Sequence, residues 1–234
     1  MPRVALWDFD ETLAFRPGRW SGVMLDLLED EVPDLEVSRD DLRAALRQGF
    51  PWHTPEEPHP HLGEADAWWD HVNVGLARAY ERVGVDAATA RRLAADVRAR
   101  YTRAEDFHLF PDTLAALTRL RASGWRHVIL SNHVPELHGI VEALGLHELV
   151  DAVLSSAHLG VEKPHPQAFL AAIAACGGAQ TIVMVGDNVD ADIRGAEAVG
   201  LPALLVRGPH PDDGWAADDL HLAAKQLEER FGEG

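Results

Sequence analysis

Short apolar runs that end on polar residues predict the strands of a buried sheet. The run RVALW at residues 3–7 is apolar and partly β-branched, which is typical of a strand covered on both faces. After residue 106, similar runs alternate with helical patterns, and this repetition predicts an α/β fold with a doubly wound parallel sheet. The later strands are expected in WRHVILSN, VDAVLSS, TIVMVGD and PALLVRG, and the helices between them in PELHGIVEALGL, HPQAFLAAIAACGG and DADIRGAEAVG.

Residues 15–105 have a different pattern, in which apolar positions recur at helical spacing and several segments begin on Ser or Asp caps. Because hardly any strand signal occurs there, we expect an all-helical domain inserted after the first strand, here called the helical insertion. The core that carries the sheet is then expected to comprise residues 1–14 and 106–234. A breaker-rich loop, PWHTPEEPHPHLG, interrupts the insertion, and DDLHLAAKQLEERFG predicts a closing amphipathic helix.

Composition and charge narrow the classes of partner. With 234 residues, 47% of them hydrophobic and 25% charged, the chain can bury the core of an ordinary globular protein. A formal charge of -17 repels nucleic-acid backbones and anionic lipid surfaces, so neither is an expected partner. The lone Cys176 excludes an internal disulfide, and no signal peptide or membrane-spanning run is evident, so we expect a cytoplasmic location. The oligomeric state stays open.

Polar residues follow the predicted strands at the points where ligands bind in open α/β sheets. Asp8 ends the first strand, Ser131 and Asn132 end the second, Asp187 ends a later one, and Lys163 precedes a helix. Converging carboxylates repel, each close pair by roughly 4 kcal/mol at an effective dielectric near 20, so a cation is expected among them. Oxygen ligands favour Mg²⁺, and no Cys/His spacing indicates zinc.

The two acids of WDFDET are suited to separate tasks. Alternation along an extended chain points Asp8 and Asp10 in related directions, about 6.5 Å apart. One carboxylate can capture a phosphoryl group as an acyl phosphate, while the other protonates the leaving oxygen and then deprotonates a water. Ser131, backbone amides and Lys163 would stabilise the charge on the phosphoryl oxygens.

Four motifs in order resemble those of the haloacid dehalogenase superfamily of phosphohydrolases. They are DFDET from Asp8, SN at 131–132, KP at 163–164 and GDNVDAD from Gly186. The resemblance covers the whole core and implies a Rossmann-like fold, and the helical insertion resembles the small helical cap of C1 type that closes over the substrate. It also implies an Mg²⁺-dependent phosphatase acting on a small phosphorylated metabolite.

The resemblance also implies roles for particular residues. Asp8 would be the nucleophile and a metal ligand, and Asp10 the general acid/base that also gives its backbone carbonyl to the metal. Lys163 would act in catalysis by neutralising the nucleophile and the phosphate. The substrate-binding set would be Thr12, which also orients its loop, Ser131, Asn132 and Lys163, and the metal set would be Asp8, Asp10, Asp187 and Asp192.

Two positions depart from the usual family pattern. Glu11 stands where the family often has Gly, from which we expect that this position does not need a positive φ. In the fourth motif, both Asp190 and Asp192 are available as the second acid. The spacing favours Asp192, although a shifted helix start would exchange the two.

The sequence distinguishes among several alternative functions. A dehalogenase needs no leaving-group acid two residues after the nucleophile, and Asp10 supplies one. A phosphonatase of this superfamily uses a lysine in the cap, and residues 15–105 contain none. A sugar-phosphate mutase or other phosphotransferase with the same core stays open. From another class, a non-catalytic phospho-accepting signalling module shares the clustered acids and the lysine, but the helical insertion and Asp10 argue against it.

Aromatic and histidine residues of the helical insertion are the candidates for the substrate pocket. Trp68 and Trp69 are adjacent on a predicted helix, so we expect one in the core and either the other or Trp52 at the pocket. The spacing of the loop histidines matches no common zinc site. These histidines are His53, His59 and His61.

Overall fold

Six parallel strands form the central sheet, described by a computed structural model that covers residues 2–209 and 214–232. The strand order is β5-β4-β1-β6-β7-β8. From β1 the sheet grows outward in both directions, so the carboxyl end of β1 lies at the point where the strand order reverses, as in doubly wound ligand-binding folds. The strands span Arg3–Trp7 (β1), Trp125–Ser131 (β4), Ala152–Ser155 (β5), Thr181–Gly186 (β6), Ala203–Val206 (β7) and Ala216–Ala217 (β8).

The residues of β1 alternate between two apolar layers. Ala5 and Trp7 belong to a core that includes residues of α5 and α10, while Val4 and Leu6 pack on the side of α8. A strand buried on both faces must be apolar throughout, which is why RVALW lacks polar alternation. The helices of the core span Thr113–Ala122 (α5), Leu137–Ala143 (α6), Ser156–Leu159 (α7), Pro166–Ala175 (α8), Gly195–Ala198 (α9) and Leu220–Phe231 (α10).

The helical insertion leaves and rejoins the core through a small antiparallel pair of strands. β2, Ala14–Phe15, pairs with β3, His108–Leu109, so the two ends of the insertion are tied together. Single 3₁₀ turns at Pro51–His53 and Pro60–Leu62 shape the proline-rich loop. The helices of the insertion span Arg19–Glu31 (α1), Arg39–Ala45 (α2), Ala65–Arg82 (α3) and Ala87–Tyr101 (α4).

Trp68 and Trp69 are both buried, at 0% and 2% exposure, and neither lines the site cavity described below, so Trp52 is the candidate of the three that can contact a substrate. Adjacent side chains on a helix point in different directions, but here both side chains pack against other residues. The Trp68 ring lies 6.4 Å from that of Trp20, and Trp69 Nε1 donates to the Glu136 carboxylate at the start of α6. The helix therefore packs on the insertion and on the core at once.

The predicted fold class, a doubly wound α/β sheet with an inserted helical segment, is confirmed. The domain limits at residues 14, 15, 105 and 106 stay predictions. The segment expected as one helix at DADIRGAEAVG begins instead as a π-helical turn, Val189–Arg194, and continues as α9. Within residues 2–209 and 214–232, no helix is long and apolar enough to cross a bilayer.

Candidate active site

Lys163 joins Asp8, which follows β1, to Asp192, which lies in the helical turn after β6. Its Nζ lies 2.7 Å from Asp8 Oδ1 and 2.6 Å from Asp192 Oδ1, and all three side chains are buried. Asp8 directly follows β1, and its backbone N–H donates to Val185 O at 2.9 Å, so pairing with β6 holds the backbone at Asp8. Although burial alone would lower it, the charges of Asp192 and Asp8 raise the pKa of Lys163.

Asp187 completes a cluster of three carboxylates. One oxygen each of Asp8, Asp187 and Asp192 lie within 4.8 Å of one another. Thr12, which is fully buried, donates to Asp187 Oδ1 at 3.3 Å and helps to fix that side chain. The structure thus brings together the predicted acids from two strand ends and the turn after β6.

The charge balance of this cluster fits a divalent cation. Burial first, and then the charge of Asp8, raise the pKa of Asp187 to about 7. Burial also raises the pKa of Asp192 to about 6, although Lys163 opposes the shift. One lysine therefore does not compensate three clustered carboxylates, two buried and one half-buried, and hard oxygen donors at this separation match what Mg²⁺ accepts.

Asp10 lies beside the cluster, in the tight turn that leads to β2. Its Oδ2 is 3.6 Å from Nε2 of His133, a buried histidine whose ring makes an edge contact with Phe9 at 5.5 Å. Burial in the cleft, then the charge of Asp8, raise the pKa of Asp10 to about 7. Burial lowers the pKa of His133 to about 4, so this histidine is neutral at neutral pH.

Glu11 contradicts the expectation that its position does not need a positive φ. Its φ is 60°, in the left-handed region. The turn between β1 and β2 requires this conformation, and Glu11 N–H closes it by donating to Ala14 O at 2.7 Å. The side chain is held from outside, since Arg19 Nε donates to Glu11 Oε1 at 2.9 Å. An acidic residue therefore occupies the position where glycine would adopt the same backbone without a Cβ clash.

Ser131 is the last residue of β4 and Asn132 follows it, and the two side chains have different surroundings. Ser131 is buried and lines the cavity in front of Asp8. The Asn132 amide instead clamps the backbone of Lys163, donating from Nδ2 to Lys163 O at 2.8 Å and accepting from Lys163 N at Oδ1 at 2.7 Å. This clamp fixes the loop that delivers the lysine to the acids.

The fourth motif separates its two aspartates. Asn188 Oδ1 accepts from the backbone amides of Asp190 and Ala191 and thereby begins the π-helical turn. The turn carries Asp192 inward, where its Oδ2 accepts from Asn188 N at 3.0 Å. Asp190 is exposed and pairs with Arg194 four residues later. Asp192, favoured by spacing, is thus the acid that joins the cluster.

A cavity of about 510 Å³ lies between the acids and the helical insertion. The insertion supplies aromatic side chains to its wall, with Trp20 stacked on Tyr101 at a centroid distance of 3.9 Å. Trp52 also lines the cavity, in agreement with its place among the candidates. Trp20, Tyr101 and His133 were not singled out from the sequence, and only the aromatic density around them could have drawn attention to them.

Comparisons with known proteins place this geometry in a family. Residues 2–200 match the haloacid dehalogenase-like hydrolases, and the chain belongs to that family. The predicted superfamily and the prediction of a hydrolase are therefore confirmed.

Two curated relatives and one solved structure illustrate the similarity. Haloacid dehalogenase-like hydrolase domain-containing protein 3 of Bos taurus is 28% identical over 227 residues, covering 93% of this chain and 87% of the relative. Phosphoserine phosphatase of Thermus thermophilus is 36% identical over 168 residues, covering 70% and 66%. The crystal structure of a 2-haloacid dehalogenase from Pseudomonas syringae superposes with a TM-score of 0.66 at 22% identity, covering 98% of this chain and 100% of that one. That last similarity concerns the fold alone.

Proposed function

We propose that this protein is an Mg²⁺-dependent phosphatase that hydrolyses a small phosphorylated metabolite through an aspartyl-phosphate on Asp8. The observation that carries the proposal is the carboxylate of Asp8, held by Lys163 at the floor of a cavity and grouped with Asp187 and Asp192. Because Lys163 donates to Oδ1 of Asp8, the second oxygen is left to attack phosphorus.

The chemistry requires two displacements, each with its own proton transfer. First, an oxygen of Asp8 forms a bond to phosphorus while the ester P–O bond breaks, and the leaving oxygen takes a proton from the carboxylic acid of Asp10. Next, water attacks the same phosphorus and gives its proton to Asp10, and the bond to Asp8 breaks to release phosphate. Asp10 ends each turnover protonated, as it began.

The remaining site residues bind the substrate or position the groups that bind it. Ser131, at the end of β4, hydrogen-bonds a phosphoryl oxygen, and Lys163 neutralises the charge shared by phosphate and nucleophile. Asn132 acts on the substrate through the Lys163 loop that it clamps, and Thr12 acts through Asp187.

The residues that would hold Mg²⁺ are Asp8, Asp187 and Asp192 through their side chains and Asp10 through its backbone carbonyl. When bound there, Mg²⁺ supplies positive charge next to the phosphoryl oxygens. Without it, an anionic phosphate would approach three carboxylates balanced by one lysine.

The named activities of several relatives support a phosphate ester over a haloacid. Besides the phosphoserine phosphatase, they include ribulose-1,5-bisphosphate 5-phosphatase of Halopiger xanaduensis and glyceraldehyde 3-phosphate phosphatase of Methanopyrus kandleri. We take residues 15–105 as the cap, because Trp20, Trp52 and Tyr101 roof the cavity. A cytoplasmic location is part of the same proposal.

The test is a panel of phosphate monoesters assayed with Mg²⁺, with a chelator, and with Asp8→Asn. We expect release of inorganic phosphate by the natural chain with Mg²⁺, and its loss under either change. Activity that survives both changes would contradict the mechanism. Product analysis with a hexose phosphate separates hydrolysis from transfer, since a mutase returns an isomeric phosphate instead of inorganic phosphate.

A further inference from the structure

A second cavity of about 690 Å³ adjoins the first. It lies within the helical insertion, between the start of α1 and the region of α2. The two cavities share the side chains of Arg16, Arg19, Trp20, Trp52 and Glu11 in their walls. The two cavities are therefore neighbours with a common wall, and a molecule bound at Asp8 faces that wall.

Arginines dominate the lining of the second cavity. Arg39, Arg43 and Arg47 recur every fourth residue, which sets them along one face of α2 and the turn that follows it. Arg16 and Arg19 come from the segment before and at the start of α1. On a chain with a formal charge of -17, such a concentration of cations is a local reversal of sign.

Three of these arginines already have acidic partners. Arg16 pairs with Asp106 at 2.8 Å and Arg19 with Glu11 at 2.7 Å. Arg43 pairs with Asp40 at 3.1 Å, an exposed pair that is screened by water.

Arg39 and Arg47 differ, because neither has an ion-pair partner within residues 2–209 and 214–232. Glu11, already held by Arg19, is the one carboxylate in the part of the lining that the structure describes. Exposed arginines on a helix are often simply solvated, but these two line a cavity together with Leu46 and Phe50, and that cavity shares wall residues with the active-site cavity. The cavity therefore offers two uncompensated guanidinium groups beside apolar surface.

We propose that the second cavity binds a second anionic group of the substrate, a carboxylate or a phosphate carried by the leaving group. This inference rests on the proposed phosphatase function and narrows it to phosphate monoesters that bear a further anion. Guanidinium groups bind carboxylates and phosphates by paired, charge-assisted hydrogen bonds, so either anion suits the site. Trp20 and Trp52 would flank the carbon chain between the two anions.

The test measures affinity in an Asp8→Asn background, which prevents turnover. Calorimetry in the presence of Mg²⁺ compares glucose 6-phosphate with glucose 1,6-bisphosphate, and glycerol 3-phosphate with 3-phosphoglycerate. We expect the ligand with the extra anion to bind about tenfold more tightly in at least one pair, which identifies the preferred anion. The double substitution Arg39→Gln and Arg47→Gln should bring that ratio to within about twofold, and added salt should reduce it.

The matched control removes two positive charges elsewhere on the insertion. Arg78→Gln with Arg91→Gln changes exposed residues that line neither cavity, so the affinity ratio should stay at its original value. A ratio near one in both pairs, or a ratio that the Arg39 and Arg47 substitutions leave unchanged, overturns the subsite even if the protein is a phosphatase. The hydrolysis assay of the natural chain tests the phosphatase function separately.

Discussion

Lys163 Nζ lies 2.7 Å from Asp8 Oδ1, although 155 positions separate the two residues along the chain. The contact joins the loop before α8 to the end of β1, and it is buried from solvent. A second contact, 2.6 Å to Asp192 Oδ1, extends it to the turn after β6. The lysine is therefore both the proposed phosphate-binding cation and the charge that allows two acids to be buried together.

Replacing Lys163 by Met should destabilise the protein, because two buried carboxylates lose their cation. Removing one partner of a buried ion pair costs on the order of 3–5 kcal/mol. We expect a loss of about 3 kcal/mol in the free energy of unfolding, measured by urea denaturation in a chelator, together with loss of phosphatase activity. Lys225→Met, at an exposed residue paired with Glu229, should change stability by less than about 0.5 kcal/mol. Equal stabilities of the two variants would contradict this account.

Mg²⁺ should stabilise the natural chain through the acid cluster. A ligand that binds the folded state alone raises the unfolding temperature, and here it would also relieve repulsion among the three acids. Calorimetry should therefore show a higher unfolding temperature in Mg²⁺ than in a chelator. Asp190→Asn, at an exposed position, should keep this response, while Asp187→Asn should lose most of it.

The same Asp187→Asn variant should be more stable than the natural chain at pH 8 in the chelator. The folded-state pKa of Asp187, raised from 3.8 to about 7, means that its ionised form costs stability above pH 7. That cost disappears as the pH falls toward 3.8, so the advantage of Asn should shrink on acidification. If Asp187→Asn were no more stable than the natural chain at pH 8, repulsion among the clustered carboxylates would be refuted.

Asp10→Asn should lower the rate of hydrolysis by an amount that depends on the leaving group of the substrate. General acid catalysis contributes about 10²–10⁴-fold, and it matters most for a poor leaving group such as an alkoxide. We expect the first-turnover rate with an alkyl phosphate to fall by about that factor, and the rate with p-nitrophenyl phosphate to fall much less. Rapid-mixing kinetics would measure both, and equal losses would contradict the role of Asp10 as the acid.

His127, which lies far from the active site, should make the free energy of unfolding depend on pH. Its Nδ1 accepts from Trp7 Nε1 at 3.0 Å and its Nε2 donates to Leu117 O at 3.0 Å, so the buried ring must be neutral. Burial lowers its pKa from 6.5 to about 4. The resulting stabilisation, about 3 kcal/mol at roughly 1.4 kcal/mol per pKa unit, is complete above pH 6.5 and lost as the pH falls toward 4.

The measurement for His127 is the free energy of unfolding between pH 7 and pH 4. His127→Gln keeps one acceptor and one donor but does not titrate, so its stability should decline less steeply over this range. His147→Gln, at an exposed residue, should follow the natural chain. Parallel curves for the natural chain and His127→Gln would disprove the assignment.

The parts predicted from sequence are those that depend on strand ends. Asp8, Ser131 and Asp187 each follow an apolar run, and the parallel topology brings those ends to one edge. The positions at which the apolar runs end are therefore enough to predict that these residues lie near one another. Asp192 was favoured over Asp190 by spacing, and the π-helical turn explains why the favoured residue points inward.

What escaped prediction depends on contacts between distant segments. Glu11 adopts a positive φ because the turn and Arg19 hold it, and neither constraint is visible in DFDET itself. The very short strands β2, β3 and β8 lack the length that produces an alternating pattern. The aromatic roof and the arginine-lined cavity exist only after the helical insertion has packed, so no local spacing reveals them.

The most direct test of the account is detection of the phosphoryl group on Asp8. The natural chain should be mixed with an excess of a phosphate monoester that it hydrolyses in Mg²⁺, quenched in acid within one turnover, and mapped by peptide mass spectrometry. We predict a phosphoryl adduct on the peptide that contains Asp8, chased by longer incubation and absent from Asp8→Asn. Hydrolysis at full rate with no adduct at Asp8, or with the adduct on another residue, would contradict the central claim.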